Sequence, residues 1–216
     1  MPLIDTTWFI TGTDTEVGKT VVTACLAAAF HGTALAAKTV ASGVELPPGE
    51  DAALLGFAAG HPAQVFQTWA APLSPHRAAA LEDRPLDVPA FLAWLSALHG
   101  APLLVEGVGG WTVPLSPELA VPDVARRLGA PVLLVAADRL GVLNHTLLSA
   151  RAIQADGLRL AGVVLNRGLP GDPSSQYNLD DLRTLLQVPV AVCPTVDLSS
   201  VDAMAAVGRV LWADLA

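Results

Sequence analysis

Cysteine is scarce in this sequence. The chain of 216 residues has two, Cys25 and Cys193, and they form no CxxC pair. That spacing supports neither a zinc site nor a framework of disulfides, and it favours a reducing, cytoplasmic compartment. The five histidines show no metal-ligand spacing either. The N-terminal residues MPLIDTTWF carry no basic segment ahead of an apolar one, so a signal peptide is not expected.

Positive charge is also in short supply. The net charge of −8 argues against a general nucleic-acid-binding protein. Hydrophobic residues make up 52% of the chain and charged residues 15%, which is typical of a well-packed globule and excludes a disordered chain. The most apolar window, residues 21–37, is interrupted by polar residues and glycine and is too short to span a bilayer. This length suits one domain, residues 1–216.

Lysine is the rarest of the basic residues. Ten of the twelve are arginine, and only Lys19 and Lys38 are lysine. A chain that uses arginine almost everywhere else makes these two candidates for work that needs a compact ammonium rather than a planar guanidinium. Two residues are a small sample, so chance is the alternative interpretation for Lys38 when it is taken alone.

Short apolar runs alternate with longer helical patterns along the chain. The runs lack alternating polarity, as expected for parallel strands that are covered on both faces. They predict an α/β fold: one domain of the P-loop NTPase type, with a parallel sheet flanked by helices on both faces. Strands are predicted over 8–11, 34–40, 103–106, 132–136, 160–166 and 190–193, and helices over 19–30, 51–59, 88–99, 122–128, 143–156, 180–186 and 201–215.

One stretch departs from this rhythm. Residues 45–89 are rich in proline and include the sequence SPHR at 74–77. Apart from the helix predicted over 51–59, we expect a long irregular connection here. Such a connection in a compact domain is usually a binding loop or lid, although it can also be merely variable.

The first predicted strand is followed by TGTDTEVGKT, residues 11–20, and then by a helix. This order is the context that a phosphate-binding loop requires. Gly18 lets the backbone approach a phosphate, and the amides of 17–20 together with the helix N-terminus favour an anion. Lys19 would reach the outer phosphates, and the Thr20 hydroxyl would bind Mg²⁺. The sequence therefore predicts a nucleotide site.

The loop has two unusual features. Five residues separate its glycines, and Asp14 stands where partitioning and site-selection ATPases have a signature lysine. The loop also carries a second acid, Glu16, close to the expected polyphosphate. Two interpretations stay open for these carboxylates: they hold a cationic amine of the substrate, or they only bond the loop's own backbone.

These residues resemble the loop of dethiobiotin synthetases, the ATP-dependent carboxylases that close the ureido ring in biotin biosynthesis. The resemblance continues, in order, through KTVASG at 38–43, VEGVGGW at 105–111, LGVLNH at 140–145 and LNR at 165–167. It covers residues 8 to about 197. Thr39 stands where a proline is expected and Val108 where a smaller residue is expected, and neither change removes a chemical group that the reaction uses.

The resemblance implies ATP- and Mg²⁺-dependent reaction of 7,8-diaminononanoate with CO₂ or bicarbonate to give dethiobiotin, ADP and phosphate. It implies a carbamate and a carbamic-phosphoric anhydride as intermediates, and a homodimer with the substrate site at its interface. Neither nucleic acid nor membrane is expected as a partner. No enzyme nucleophile is required, and the sequence offers no recognisable Ser–His or Cys–His arrangement.

The resemblance also assigns residues to roles. The catalytic pair is Lys38 and Lys19, and the Mg²⁺ ligands are Thr20, Asp51 and Glu106. Nucleotide-binding positions are Glu16, Val17, Gly18, Lys19, Thr20, Val21, Asp51, Glu106, Gly107, Val108, Gly109, Asn166, Arg167, Pro194, Thr195 and Val196. Substrate-binding positions are Thr15, Ser42, Gly141, Val142, Leu143, Asn144 and Tyr177. For several of these a plainer role stays open, such as a helix cap for Asp51 and Asn144, a turn former for Asn166 and a surface aromatic for Tyr177.

Two other functional classes compete. A nucleotide-switched partitioning ATPase has the same expected fold, but Asp14 replaces its signature lysine, and the tail 202–216 carries a single basic residue, Arg209. An amidating ligase of the cobyrinate type has the same ATP core, but it needs a source of ammonia, and no glutaminase domain fits in 216 residues.

Overall fold

A computed structural model describes residues 7–216. The segment 1–6, which holds most of the sequence that argued against a signal peptide, lies outside the described residues. Among the helices of 7–216, none has the length and apolar character needed to cross a bilayer. The strands are β1 Thr7–Gly12, β2 Leu35–Ser42, β3 Gln64–Trp69, β4 Leu103–Gly110, β5 Val132–Ala137, β6 Leu160–Asn166 and β7 Val190–Cys193. The helices are α1 Lys19–Ala28, α2 Glu50–Ala59, α3 Pro75–Leu81, α4 Val88–Ala97, α5 Val121–Leu128, α6 Val142–Ala155, α7 Asn178–Leu185 and α8 Val201–Asp214, with a 3-10 turn at Pro173–Gln176.

The strands form one parallel sheet in the order β3-β2-β4-β1-β5-β6-β7. The predicted α/β fold of P-loop type is thereby confirmed. The first strand lies in the middle, between β4 and β5, so the loop that follows it opens at the centre of the sheet. In open parallel sheets ligands bind at the carboxyl ends of the strands, and all of these ends lie along one edge.

Each face of the sheet carries its own apolar core. Phe9 of β1 belongs to the core under α3 to α7, and its neighbour Ile10 belongs to the core under α1, α2 and α8. Successive strand residues point to opposite faces, so a strand covered on both sides must be apolar at every position. On the second face α1 and α8 approach so closely that a Cβ at Gly208 would lie 1.8 Å from the Cys25 carbonyl oxygen. This packing holds the helix that follows the phosphate loop.

The expectation of a long irregular connection over 45–89 is wrong. Besides the predicted α2, the segment contains the edge strand β3 and the short helix α3. Most residues of β3 are only partly buried, so it lacks the apolar run of the inner strands. The proline at 75 stands at the first position of α3, where a missing N–H costs nothing. At least one proline of this segment therefore begins a helix and does not mark an irregular loop.

Candidate active site

The phosphate loop connects β1 to α1 and is held from behind by a buried side chain. Gly18 has a φ of 91°, and a Cβ there would lie 1.9 Å from Nδ2 of Asn166. Only glycine fits both the backbone angle and the space. The next residue, Lys19, begins the helix, so the first amides of α1 point into the loop. The structure therefore has the strand, turn and helix that the motif predicts.

The acid at position 14 bonds within its own loop. An Asp14 carboxylate oxygen accepts the Thr15 amide at 2.7 Å, and the Asp14 carbonyl accepts Nζ of Lys19 at 2.9 Å. The local interpretation of Asp14 accounts for these contacts. Glu16 is different: its side chain is exposed, and its φ of 56° lies in the left-handed region. The backbone therefore turns at Glu16 and leaves its carboxylate free for a ligand.

An ion cluster lies beside the loop, and two of its members, Lys38 and Glu106, are buried while Asp51 is exposed. Lys38 of β2 is in register with Glu106 of β4, and its Nζ donates to Oε1 of Glu106 at 2.8 Å. The same ammonium contacts the carboxylate of Asp51 at the start of α2. The Thr20 hydroxyl donates to Oε1 of Glu106 at 2.9 Å. The sequence predicts strand ends near Lys38 and at Glu106, but β2 and β4 continue to residues 42 and 110, so both side chains are buried inside the sheet.

The two lysines differ in their protonation equilibria. Burial lowers the pKa of Lys19, and the attraction of the Glu106 carboxylate offsets that effect only in part. Burial also lowers the pKa of Lys38, but the carboxylates of Glu106 and Asp51 outweigh it and leave that pKa raised. Lys38 is therefore firmly cationic. The charged form of Lys19 is less stabilised, because among the described residues its ammonium donates to one carbonyl only. An anion bound next to this ammonium would stabilise its charge.

Oxygen ligands for a divalent cation are grouped here. They are the hydroxyl of Thr20 and the carboxylates of Asp51 and Glu106, and a hard ion such as Mg²⁺ prefers such oxygens. Oε2 of Glu106 is buried and has no hydrogen-bond partner among residues 7–216, so it retains its capacity for a ligand. Within residues 7–216 no group of three or more histidine, cysteine or acidic residues is arranged to hold a metal ion. The donor set fits Mg²⁺ better than a transition metal.

Thr20, Asp51 and the two lysines line one cavity of about 290 Å³, whereas the fully buried Glu106 does not line it. It brings together residues from the loop, β2, α2 and β4, as expected from the sequence. Ala41 is the one lining residue that the sequence did not single out. The lining consists of Thr15, Glu16, Gly18, Lys19, Thr20, Val21, Lys38, Ala41, Ser42, Asp51, Val108 and Gly109.

Asn166 and Pro194–Val196, which the resemblance implies as nucleotide-binding positions, lie beyond the loop, at the ends of β6 and β7. Nδ2 of the buried Asn166 donates to the Val17 carbonyl at 3.1 Å, and its Oδ1 accepts the Gly168 amide at 3.0 Å. The segment Pro194–Val196 is at least partly exposed beside it. Asn166 thus braces the phosphate loop through Val17, and the partly exposed segment Pro194–Val196 lies next to Asn166.

Five of the substrate-binding positions that the resemblance implies do not line the cavity. Gly141–Asn144 lies at the start of α6, and the side chain of Tyr177 is 63% exposed at the end of the 3-10 turn. Within one chain, these positions and the two lysines therefore do not line the same cavity. Exposed leucines accompany these positions: Leu140 is 80% exposed and Leu148 is 57% exposed.

Sequence reasoning missed one charged residue of this edge. Asp138 directly follows β5, and its carboxylate is fully buried in an ion pair with Arg167. The signal was available, because an acid after an apolar strand in a parallel sheet lies at the ligand-binding edge. Arg167 is expected from the resemblance to bind nucleotide; in this structure its guanidinium donates to the Asp138 carboxylate and to the Ser175 carbonyl.

Comparisons with known proteins find similar sequences over most of the chain. A family model described as an AAA domain matches residues 6–207. The ATP-dependent dethiobiotin synthetase BioD of Aromatoleum aromaticum is 40% identical over 196 residues, which cover 85% of this chain and 87% of the relative. Proteins of the same name from Pseudescherichia vulneris and Pseudomonas aeruginosa are each 41% identical, covering 84% of this chain and 81% and 86% of the relatives.

Solved structures share the fold at low identity. The septum site-determining protein MinD of Pyrococcus horikoshii, complexed with Mg-ADP, has a TM-score of 0.57 at 17% identity, covering 94% of this chain and 86% of that one. A putative plasmid partition protein of Borrelia burgdorferi bound to AMPPNP has a TM-score of 0.57 at 9% identity, covering 96% and 98%. At these identities the likeness shows the fold alone.

Proposed function

Because this chain belongs to the family of ATP-dependent dethiobiotin synthetases, and is therefore an ATP-dependent ligase of biotin biosynthesis, we propose that it joins CO₂ to 7,8-diaminononanoate and closes the ureido ring. The observation that carries the proposal is the convergence of the only two lysines of the chain on one cavity. Lys19 approaches from the phosphate loop and Lys38 from the neighbouring strand. Two buried ammonium groups beside one cavity suit a reaction that moves a phosphoryl group between oxygens.

The phosphate loop would hold the triphosphate of ATP. The amides at the start of α1 and the ammonium of Lys19 face the cavity, where an anion would replace the Asp14 carbonyl as the partner of Nζ. Asp51, Glu106 and Thr20 would hold Mg²⁺, which supplies charge neutralisation of the phosphates when it is bound. Asn166 fixes the loop from behind, because its amide holds the Val17 carbonyl.

The chemical steps need positioned charge and no enzyme nucleophile. A neutral amine of the substrate adds to CO₂ and, on loss of its proton, becomes a carbamate. A carbamate oxygen attacks the γ-phosphorus of ATP, the bond to ADP breaks, and a carbamic-phosphoric anhydride forms. The second amine attacks the carbonyl carbon of that anhydride, inorganic phosphate leaves, and the ring is closed.

The lysines act on these steps in two ways. Ammonium groups near the amine lower its pKa by charge repulsion, which increases the fraction of neutral nucleophile. The same groups stabilise the negative charge on the transferring phosphoryl group. The carboxylates of Glu106 and Asp51 raise the pKa of Lys38 against the effect of burial, which favours its charged form. Glu16, exposed at the cavity wall, is placed to accept a hydrogen bond from a substrate amine.

The carboxylate of the substrate would be bound by a second copy of the chain. Gly141–Asn144 forms the N-terminus of α6, which is a favourable place for an anion. Tyr177, the other substrate-binding position expected here, is exposed. Neither lines the cavity of its own chain. A homodimer that places this surface over the lysine cavity of its partner would complete the site, and the exposed Leu140 and Leu148 would be covered in the same step.

The competing functions have less support. The structural likeness to a septum-site and a partition protein extends to the fold only. Asp14 occupies the place of the signature lysine of those ATPases and is engaged with its own loop. The relatives that share about 40% of their residues with this chain carry the synthetase name.

The test is release of phosphate from ATP by the purified chain, with and without 7,8-diaminononanoate and bicarbonate. We expect release that requires both, with dethiobiotin detected by mass spectrometry in equal amount. Omission of Mg²⁺ should abolish it. ATP hydrolysis that is indifferent to the diamine and bicarbonate would overturn the proposal, and salt-dependent binding to DNA or lipid would favour the partitioning class instead.

A further inference from the structure

The buried acid after β5 joins three segments of the chain. Both carboxylate oxygens of Asp138 accept directed hydrogen bonds, from Nε of Arg167 at 2.6 Å and from Nδ2 of Asn178 at 2.8 Å. The Asp138 carbonyl accepts the hydroxyl of Ser175 at 2.7 Å, and its amide donates to the Asn166 carbonyl at 3.0 Å. Every polar group of this residue is thus engaged, which is the pattern of a structural anchor.

Arg167 extends the anchor to the 3-10 turn. Its Nη2 donates to the Ser175 carbonyl at 2.9 Å, while its Nε is held by Asp138. Its side chain does not line the lysine cavity. Two N–H groups of one rigid guanidinium therefore connect a buried carboxylate to the backbone of the turn, an arrangement that a lysine cannot reproduce.

The 3-10 turn is also fastened to the start of α6. The carboxylate of Asp172 accepts the Ser174 amide at 2.8 Å through one oxygen and the Leu140 amide at 2.6 Å through the other. Leu140 immediately precedes Gly141–Asn144, and Tyr177 ends the turn. The anchor and this second contact fix both parts of the expected carboxylate-binding surface relative to each other.

The end of β6 faces both ligand regions. Asn166 contacts the phosphate loop through Val17, and the next residue, Arg167, contacts Asp138 and the turn. Two consecutive residues thus connect the nucleotide side to the substrate side through short hydrogen bonds.

We propose that Asp138 and Arg167 are positioning residues for the diamine substrate: they hold the turn that carries Tyr177 against the start of α6. Arg167 then acts on substrate binding through the turn and does not bind nucleotide. This inference rests on the proposed function for its kinetic consequence, but its structural consequence can be measured without turnover.

The test compares Arg167→Met, Arg167→Lys and Asp138→Asn in the full chain. For Arg167→Met we expect the KM for diaminononanoate to rise about tenfold, the range in which remote positions alter binding, with the KM for ATP changed by less than about twofold. In Arg167→Lys we expect a smaller rise in the KM for diaminononanoate, because lysine can pair with Asp138 but cannot also donate to the Ser175 carbonyl in the same plane. General destabilisation would lower the active fraction without splitting the two KM values.

Hydrogen–deuterium exchange provides the independent measurement. In Arg167→Met we expect amides of 139–144 and 172–177 to exchange about tenfold faster, since their local opening loses its anchor, while amides of α1 are unchanged. Arg126→Met is the matched control, because Arg126 pairs with Asp123 and Asp156 on the exposed side of α5 and should change neither exchange nor KM.

Each outcome bears on one of the two proposals. Unchanged exchange in both segments overturns the positioning role, whether or not the enzyme turns over. A rise in the KM for ATP alone also overturns it, and would return Arg167 to the nucleotide site. A wild-type chain that ignores diaminononanoate defeats the proposed function instead, and the exchange data then decide the structural inference by themselves. If Asp138→Asn does not fold, the two Arg167 variants still decide.

Discussion

Two charged clusters lie at the carboxyl edge of the same sheet, and they use their hydrogen-bonding groups differently. The first cluster consists of Lys19, Lys38, Asp51 and Glu106. Among the described residues, Lys19 donates to one carbonyl and Oε2 of Glu106 has no hydrogen-bond partner. In the anchor at the ends of β5 and β6, both carboxylate oxygens of Asp138 are occupied and Arg167 donates in two directions. The carboxylates of Glu106 and Asp138 are both fully buried, so burial does not distinguish them.

The two clusters differ in whether their carboxylate oxygens can still accept a hydrogen bond or a metal ion. A buried polar atom without a partner is costly, and at Glu106 a bound cation would supply the missing partner. A saturated group has nothing left to offer and acts as scaffold. The comparison also explains the choice of cation: a compact ammonium leaves room for phosphate and can exchange partners, whereas a guanidinium fixes two bonds at once.

The largest expected effect comes from removing the ammonium at position 38. Lys38→Met should lower kcat by about 10²- to 10³-fold, because one preorganised charge on the transferring group is lost, while ATP still binds. Phosphate release and calorimetric titration with ATP measure the two quantities. Lys38→Arg is the control for charge alone, and we expect little rescue because the larger planar group does not fit between Glu106 and Asp51. Turnover that survives in the methionine variant would remove Lys38 from the mechanism.

The saturated cluster should respond in stability. Asp138→Asn is expected to cost about 3 kcal/mol, the low end for breaking a buried ion pair, since the Arg167 side chain is 38% exposed. Asp123→Asn, which breaks an exposed pair with Arg126, should cost less than about 1 kcal/mol. Denaturant unfolding of both variants measures the contrast, and equal costs would contradict the distinction drawn between the clusters.

Gly18 connects the two regions, because Asn166 fills the space where a side chain would be. Gly18→Ala should destabilise by about 2 kcal/mol through its left-handed backbone and the displacement of Asn166, and should weaken ATP binding. Gly129→Ala is a matched control with a φ of 61° and no atom within 4 Å of the new Cβ. It should cost about 1 kcal/mol, the backbone share alone. If the two alanine variants are equally stable, Asn166 does not brace the loop.

The smallest effect concerns the turn. The hydrogen bond from the Leu140 amide, with a smaller contribution from the hydrogen bonds of Ser174, holds the pKa of Asp172 below its ordinary value of 3.8. A carboxyl whose pKa is lowered in the folded state contributes stability above pH 3.8 and loses it as the pH falls through the folded value. Wild type should therefore exceed Asp172→Asn in stability at neutral pH, and the difference should shrink in acid. A carboxyl NMR titration of Asp172 checks the direction, and a pKa at or above 3.8 would contradict it.

Much of the architecture follows from short-range patterns. The inner strands are apolar without alternation, so their type, order along the chain and approximate limits could be predicted, and β6 and β7 agree to the residue with the predicted 160–166 and 190–193. The edge strand β3 and helix α3 were missed, because a half-buried strand lacks an apolar run and a proline at a helix start resembles a loop.

The fold class, the phosphate loop and the two scarce lysines can be recognised in the sequence, because these features depend on local pattern and residue type. Tertiary structure alone decided which side chains meet: that Lys38 is in register with Glu106, that Asn166 backs Gly18 from the far end of β6, and that Asp138 pairs with Arg167. Such contacts depend on strand order and register, which bring distant segments together through packing that no local pattern records.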